Sequence, residues 1–190
     1  MKKLIFLLGI LFFVVIQQAN GQFDDKAIAE FEVTVPADYS HGTQIEDSKK
    51  KAQKDKVILF GYDSFFTNKN FEGETTKLLP GETFIIKIFP ITEQATSQQC
   101  LAFLKNQKSL YFGLHGLTVV FDLKKDKLPK DKWIISFSPK DELLVDASGS
   151  HVVPYLSTSV DGDYGFEKCY FENDFWAAQG RTLLCITKKE

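Results

Sequence analysis

The sequence predicts an α+β fold in which a mostly antiparallel β-sheet, or a barrel-like body, carries one main amphipathic helix at about residues 93–107. Two observations lead to this prediction. Short apolar runs with a period of two recur along the chain between compact turn signals, which favours antiparallel strands. Only one segment combines a helical period with a helix-capping pattern.

The first 21 residues have the order of a secretory signal peptide. Two lysines precede an uninterrupted apolar run over residues 4–16, and small residues stand at the third-last and last positions before a cleavage site after Gly21. The run is shorter than the roughly 20 residues that span a bilayer. We therefore expect a single secreted or periplasmic domain over residues 22–190, without a membrane span, and the short Lys-Lys leader suits a bacterial protein.

The charge and the motifs of this mature part argue against nucleic acid as a partner and against a bound cofactor or metal. It has 21 basic and 25 acidic side chains, a net charge of −4, and so lacks the broad positive field that attracts nucleic acid. Fifteen of the 18 phenylalanines lie in it, which indicates a folded core. No GxSxG, GxGxxG, phosphate-loop, HExxH or CxxC pattern is present, so we predict neither a cofactor nor a metal site.

Three strands are predicted before the helix. Residues 29–35 alternate between apolar and polar side chains, as in a strand with one exposed face, and Pro36 ends the run. Residues 37–56 are rich in lysine and poor in apolar side chains, so we predict an exposed connection with at most a short helical turn. A short buried strand follows at 57–62, and the β-branched and aromatic run 83–91 forms the third strand after an LPGE turn.

The helix at about 93–107 is predicted from its first turn and its apolar face. Thr96 and Gln99 have the spacing of a capping box. The apolar residues group on one side: Cys100, Leu101, Phe103 and Leu104.

Five runs after the helix are predicted as strands: 117–123, 133–137, 151–156, 165–171 and 182–187. Pro154 indicates that its strand lies at a sheet edge or contains a bulge, because proline has no N–H to donate. The charged run around Pro129 is predicted as a loop between two strands.

The acidic stretch SVDGDYGFEKCYFEND partly matches a calcium-binding EF-hand loop. With Asp161 at position 1, Asp163 falls at position 3 and Glu172 at position 12. Position 5 is Gly165, which has no side-chain oxygen, and position 6 is Phe166 where the loop requires glycine. Since Asp-Gly between two strand-like runs is typical of a hairpin, we predict a turn from Asp161 to Gly165.

Three cysteines remain in the mature part, and export makes a disulfide permissible. Their odd number leaves at least one thiol free or paired between chains. Cys169 and Cys185 are the preferred pair because we place them on neighbouring strands.

One functional hypothesis is a cysteine-dependent amidase or peptidase. Cys100 on the helix would be the nucleophile, His151 the base, and Asp163 or Asp161 the group that orients the imidazole. This order, with SHVVPYL around the histidine, resembles the papain-like amidases and peptidases that cut bacterial cell-wall peptides. The stretch QQCLAF departs from that family, since it lacks the Asp before the cysteine and the Ser-Gly after it.

The other hypothesis, which the sequence favours, is a secreted or periplasmic, non-enzymatic binding or structural module. Its ligand would be a peptide or a glycan in a groove near YFENDFW, where aromatic residues stand beside acidic ones. The candidate groove residues are Trp133, Tyr155, Tyr164, Tyr170 and Trp176, for which core packing is the alternative role. We expect His115 to serve packing or hydrogen bonding at a bend, and His41 to stand alone in a polar loop.

Overall fold

The computed structural model describes residues 22–57, 59–172, 176 and 179–189, so the predicted signal peptide lies outside the described residues. The strands are β1 (Ala29–Thr34), β2 (Leu59–Tyr62), β3 (Thr83–Pro90), β4 (Lys132–Ile135), β5 (Val152–Thr158), β6 (Tyr164–Tyr170) and β7 (Arg181–Lys188). The α-helices of the described part are α1 (Gln44–Lys54), α2 (Ser97–Asn106) and α3 (Gly113–Lys124).

The seven strands form one mixed sheet in the order β1-β3-β7-β4-β5-β6-β2. The pairs β4–β7 and β2–β6 are parallel, and the other four neighbouring pairs are antiparallel. The strands β1 and β2 are edges, so the sheet is open. The predicted α+β class is confirmed, whereas the barrel-like alternative and the single helix are wrong.

Hydrophobic side chains form two core layers, one on each face of the sheet. Strand β5 contributes side chains to both layers, because successive residues of a strand point to opposite faces of the sheet. Val152 and Leu156 lie in the first layer, whereas Val153 and Tyr155 lie in the second. Helices α1 and α3 cover the first layer, and α2 covers the second. The structure therefore has helices on both faces of one sheet.

Helix α3 replaces the strand that we predicted at 117–123. Every residue from Gly113 to Phe121 is buried, because the helix lies between the sheet and α1. A helix without a solvent face shows no helical period, and its apolar run cannot be distinguished from a buried strand by pattern.

Helix α1 lies within residues 37–56, where we predicted an exposed connection. Its buried residues are Ile45, Ser48 and Ala52, three and four positions apart as one helix face requires. Two of them are small, so the helix packs on the first layer with little apolar area, and lysines occupy the exposed side.

The other local predictions are largely confirmed. The capping box of α2 is present, since Gln99 N donates to Thr96 Oγ1 at 3.2 Å and Thr96 N donates to Gln99 Oε1 at 2.8 Å. The antiparallel strands β5 and β6 are joined by the predicted hairpin turn, in which Gly162 has a φ of 94°. The turn spans residues 159–163, slightly earlier than predicted.

Pro154 lies in an interior strand, so its placement at an edge or a bulge is wrong. Ser136 N donates to Pro154 O at 3.1 Å, but Pro154 has no N–H to return a bond to Ser136. The missing donor coincides with the end of the β4–β5 ladder at the pair Ile135 and Tyr155. Here the proline ends one ladder of an interior strand.

The predicted disulfide between Cys169 and Cys185 does not form. Cys169 lies on β6 and Cys185 on β7, and β4 and β5 stand between these strands. Three strand spacings of about 4.8 Å separate the two positions by about 14 Å, twice the Cα distance that a disulfide spans. Cys100, Cys169 and Cys185 all lie in the described part of the chain, and no disulfide joins any two of them.

Candidate functional site

A cavity of about 430 Å³ opens at the end of the sheet where β5 begins. Because β5 and β6 are antiparallel, His151 before β5 and Glu172 after β6 reach the same end, where Phe171 N donates to His151 O at 2.9 Å. The start of α2 and the short 3₁₀ turn Lys140–Glu142 complete the walls. The lining residues are Gln98, Lys140, Leu143, His151, Phe171 and Glu172.

His151 and Glu172 form a hydrogen-bonded pair on the cavity wall. The Glu172 carboxylate accepts from the His151 backbone N at 3.1 Å and also contacts His151 Nδ1. These bonds lower the pKa of Glu172, so the carboxylate is charged at neutral pH. Both side chains remain nearly half exposed, at 43 % and 49 %, so a ligand in the cavity can reach them.

The lining groups combine hydrogen-bond donors, acceptors and an apolar floor. Gln98 carries an amide, Lys140 an ammonium group and Glu172 a carboxylate. Phe171 is only 7 % exposed and, with Leu143, provides the apolar part. Such a cavity is suited to a small ligand with charges of both signs.

Cys100 does not line this cavity. It has no exposed surface, packs in the second core layer, and makes no hydrogen bond with His151 in the described part of the chain. Burial raises the pKa of its thiol far above the ordinary value, which suppresses the nucleophilic thiolate.

The acidic turn is also remote from His151. Asp161 and Asp163 lie beyond the far end of β5, whose seven residues span about 23 Å. The structure therefore pairs His151 with Glu172 and brings neither Cys100 nor Asp163 to it. The same distance separates the two aspartates from Glu172, so these three carboxylates do not form a calcium loop.

The buried state of Cys100 predicts a slow reaction with thiol reagents. In the native protein at neutral pH, we expect iodoacetamide to modify Cys100 at least about a hundredfold more slowly than the half-buried Cys169. Peptide mass spectrometry after timed labelling measures both rates, and labelling in denaturant provides the control. Rapid native modification of Cys100 would instead support the cysteine-hydrolase hypothesis.

The five aromatic residues that we considered for a groove do not line one together. Trp133 is 40 % exposed and stacks on Tyr155 with ring centroids 4.9 Å apart. Trp176 is buried in the second core layer, whereas Tyr164 and Tyr170 pack against the first layer on the opposite face.

A second polar cluster consists of His41, Glu74 and His115. His115 Nδ1 lies 2.7 Å from Glu74 Oε2, and the two side chains are only 2 % and 3 % exposed. The His41 ring stacks on the His115 ring with centroids 3.7 Å apart. These residues are 33 and 41 positions apart, so no motif spacing reveals them, and GLHGL around His115 was the only signal in the sequence.

Comparison of the chain with models of protein families, with curated proteins and with solved structures found no match. Within the described ranges, no helix has both the length and the apolar character needed to cross a membrane.

Proposed function

We propose that this chain is an exported, non-enzymatic binding domain that holds a short peptide in the cavity beside His151. The cavity is the observation that carries the proposal, because it joins charged groups of both signs to an apolar floor. Its volume of about 430 Å³ suits a few residues of an extended ligand. Export rests on the leader-like first 21 residues.

A peptide suits these groups better than a glycan does. Lys140 can pair with a carboxylate of the ligand, and Glu172 can pair with an ammonium group. Glycan sites use an exposed aromatic face on which a sugar ring stacks, whereas Phe171 is almost fully buried. A neutral sugar would also leave both charges of the cavity without a charged partner.

Binding without catalysis is favoured because the described lining residues include no hydroxyl or thiol nucleophile. The pair of His151 and Glu172 could orient a proton, but the described lining has no hydroxyl or thiol for it to activate. The pair is better suited to accept and donate hydrogen bonds to a ligand.

Thermal melting with two sets of probes tests the proposal. Charged tripeptides at millimolar concentration are expected to raise the melting temperature, because a ligand of the native state stabilises it by mass action. Neutral oligosaccharides of similar size are expected to leave it unchanged. For the tripeptide that raises the melting temperature most, Glu172→Gln should weaken binding about 10- to 100-fold, since a charge-assisted hydrogen bond contributes roughly 1.5–3 kcal/mol.

Lys105→Ala is the matched control, because Lys105 is an exposed lysine of α2 that does not line the cavity. It should bind the tripeptide as the native protein does. If only the oligosaccharides raise the melting temperature, the ligand is a glycan and not a peptide. If the native protein and Glu172→Gln bind the tripeptide equally tightly, the peptide does not bind in this cavity.

A further inference from the structure

The cluster of His41, Glu74 and His115 has the arrangement of ligands around a metal ion. One ligand atom of each residue lies within 4.8 Å of those of the other two. Two imidazole nitrogens and one carboxylate oxygen are a donor set that zinc prefers in proteins, with a fourth position left for water.

Each of the three side chains is also held by a second partner through its other polar atom. His115 Nε2 donates to the His41 carbonyl oxygen at 3.0 Å. Glu74 Oε1 accepts from Ser138 Oγ at 2.7 Å, and His41 Nδ1 lies 3.2 Å from the hydroxyl of Tyr39. Metal ligands are oriented in this way, by a carbonyl, a hydroxyl or a carboxylate on the atom that does not bind the ion.

His41 supplies an independent indication of a ligand. Its Nε2 atom is buried and has no hydrogen-bond partner among the described residues, although buried polar atoms are nearly always paired. An imidazole nitrogen with no hydrogen-bond partner can offer its lone pair to a metal ion.

We propose that His41, Glu74 and His115 bind a divalent transition-metal ion of the zinc class. The ion takes the position between Glu74 Oε2 and His115 Nδ1, and the proton shared by these two atoms leaves to solvent. The bound ion would connect the loop of His41 to the first turn of α3.

Binding requires a defined local movement. The His41 and His115 rings stack with only 16° between their planes, and nitrogen lone pairs lie in those planes, so they do not converge on one point. His41 must turn, which its half-buried place in a loop next to Gly42 permits. The 2.7 Å contact between Glu74 and His115 must open to about 3.3 Å, the separation of two ligands on a tetrahedral zinc ion.

Metal titration of the purified protein tests this site. The protein is made without a polyhistidine tag, stripped with a chelator and titrated with Zn²⁺ and with Co²⁺. We expect one ion per chain by elemental mass spectrometry and visible d–d absorption from bound Co²⁺. His41→Ala should weaken affinity more than about 100-fold, and Tyr39→Phe, which removes only an orienting partner, about 10–100-fold.

His151→Ala is the control, because it removes a histidine outside the cluster and should leave affinity unchanged. His41→Ala keeps the buried contact between Glu74 and His115. If the folded variant does not bind the metal, the loss can therefore be attributed to the missing His41 imidazole. The proposal is overturned if the native protein retains neither ion, if His41→Ala binds as tightly as the native protein, or if His151→Ala is the variant that loses the ion.

Discussion

Replacement of Glu74 by alanine is expected to destabilise the protein by about 3–5 kcal/mol, because two buried polar groups lose their partner at a cost of roughly 1–3 kcal/mol each. The carboxylate accepts from His115 Nδ1 and from Ser138 Oγ, both at 2.7 Å, and all three side chains are buried. Without it, the imidazole and the hydroxyl lose their acceptor where no solvent replaces it. The Glu74→Ala variant also leaves a void.

Urea unfolding followed by circular dichroism, with chelator present, measures this loss. Glu74→Gln should lose much less stability, because the amide has almost the shape of the carboxylate and keeps hydrogen-bonding groups facing both His115 and Ser138. Glu82→Ala is the surface control, since Glu82 pairs at 2.8 Å with the largely exposed Lys188, and should cost less than about 1 kcal/mol. Equal losses for Glu74→Ala and Glu82→Ala would contradict a stabilising buried pair.

The second large effect is expected at Gly113, where alanine should cost about 3 kcal/mol from backbone strain and overpacking. Gly113 has a φ of 46°, and a Cβ atom there would lie 2.1 Å from Ser138 Oγ and 3.0 Å from Glu74 Oε1. Ser138 would have to leave its hydrogen bond to Glu74. The glycine thus allows the start of α3 to approach the buried carboxylate.

Two variants separate backbone strain from crowding at Gly113. Gly149 has a φ of 83° with open space around it, so Gly149→Ala measures the backbone effect alone, about 1 kcal/mol. Adding Ser138→Ala to Gly113→Ala removes the nearest clashing atom and should recover part of the loss. If Gly113→Ala unfolds at the same denaturant concentration as Gly149→Ala, the close approach described here is wrong.

Two kinds of strand could be predicted from the sequence. Strand β1 alternates polar and apolar residues because one of its faces is exposed to solvent, and β3 is rich in β-branched and aromatic residues. The helix α3 could not be predicted, because burial on all sides removes the polar positions that define a helical period. The helix α1 was missed for the opposite reason, since two of its three buried residues are Ser48 and Ala52 and leave little apolar signal. Local sequence patterns do not determine the order of the strands in the sheet. The predicted disulfide between Cys169 and Cys185 was wrong for this reason, because their two strands are not neighbours.

The candidate sites depend on contacts between distant segments, and sequence spacing carries little information on these. His151 was recognised as a candidate, but its partner Glu172 was considered only as a calcium ligand, because the β5–β6 hairpin that joins them had no assigned register. His41, Glu74 and His115 come from two loops and one helix start. Only the fold brings them together.

The proposed binding of a charged peptide in the cavity beside His151 can be located by two-dimensional NMR. The isotope-labelled protein is titrated with the charged tripeptide that raises its melting temperature most. We expect saturable chemical-shift changes confined to the lining residues, with the largest at Gln98, His151 and Glu172. Changes centred on Trp133 and Tyr155, or no saturable changes with any tripeptide, would show that the cavity is not a peptide site.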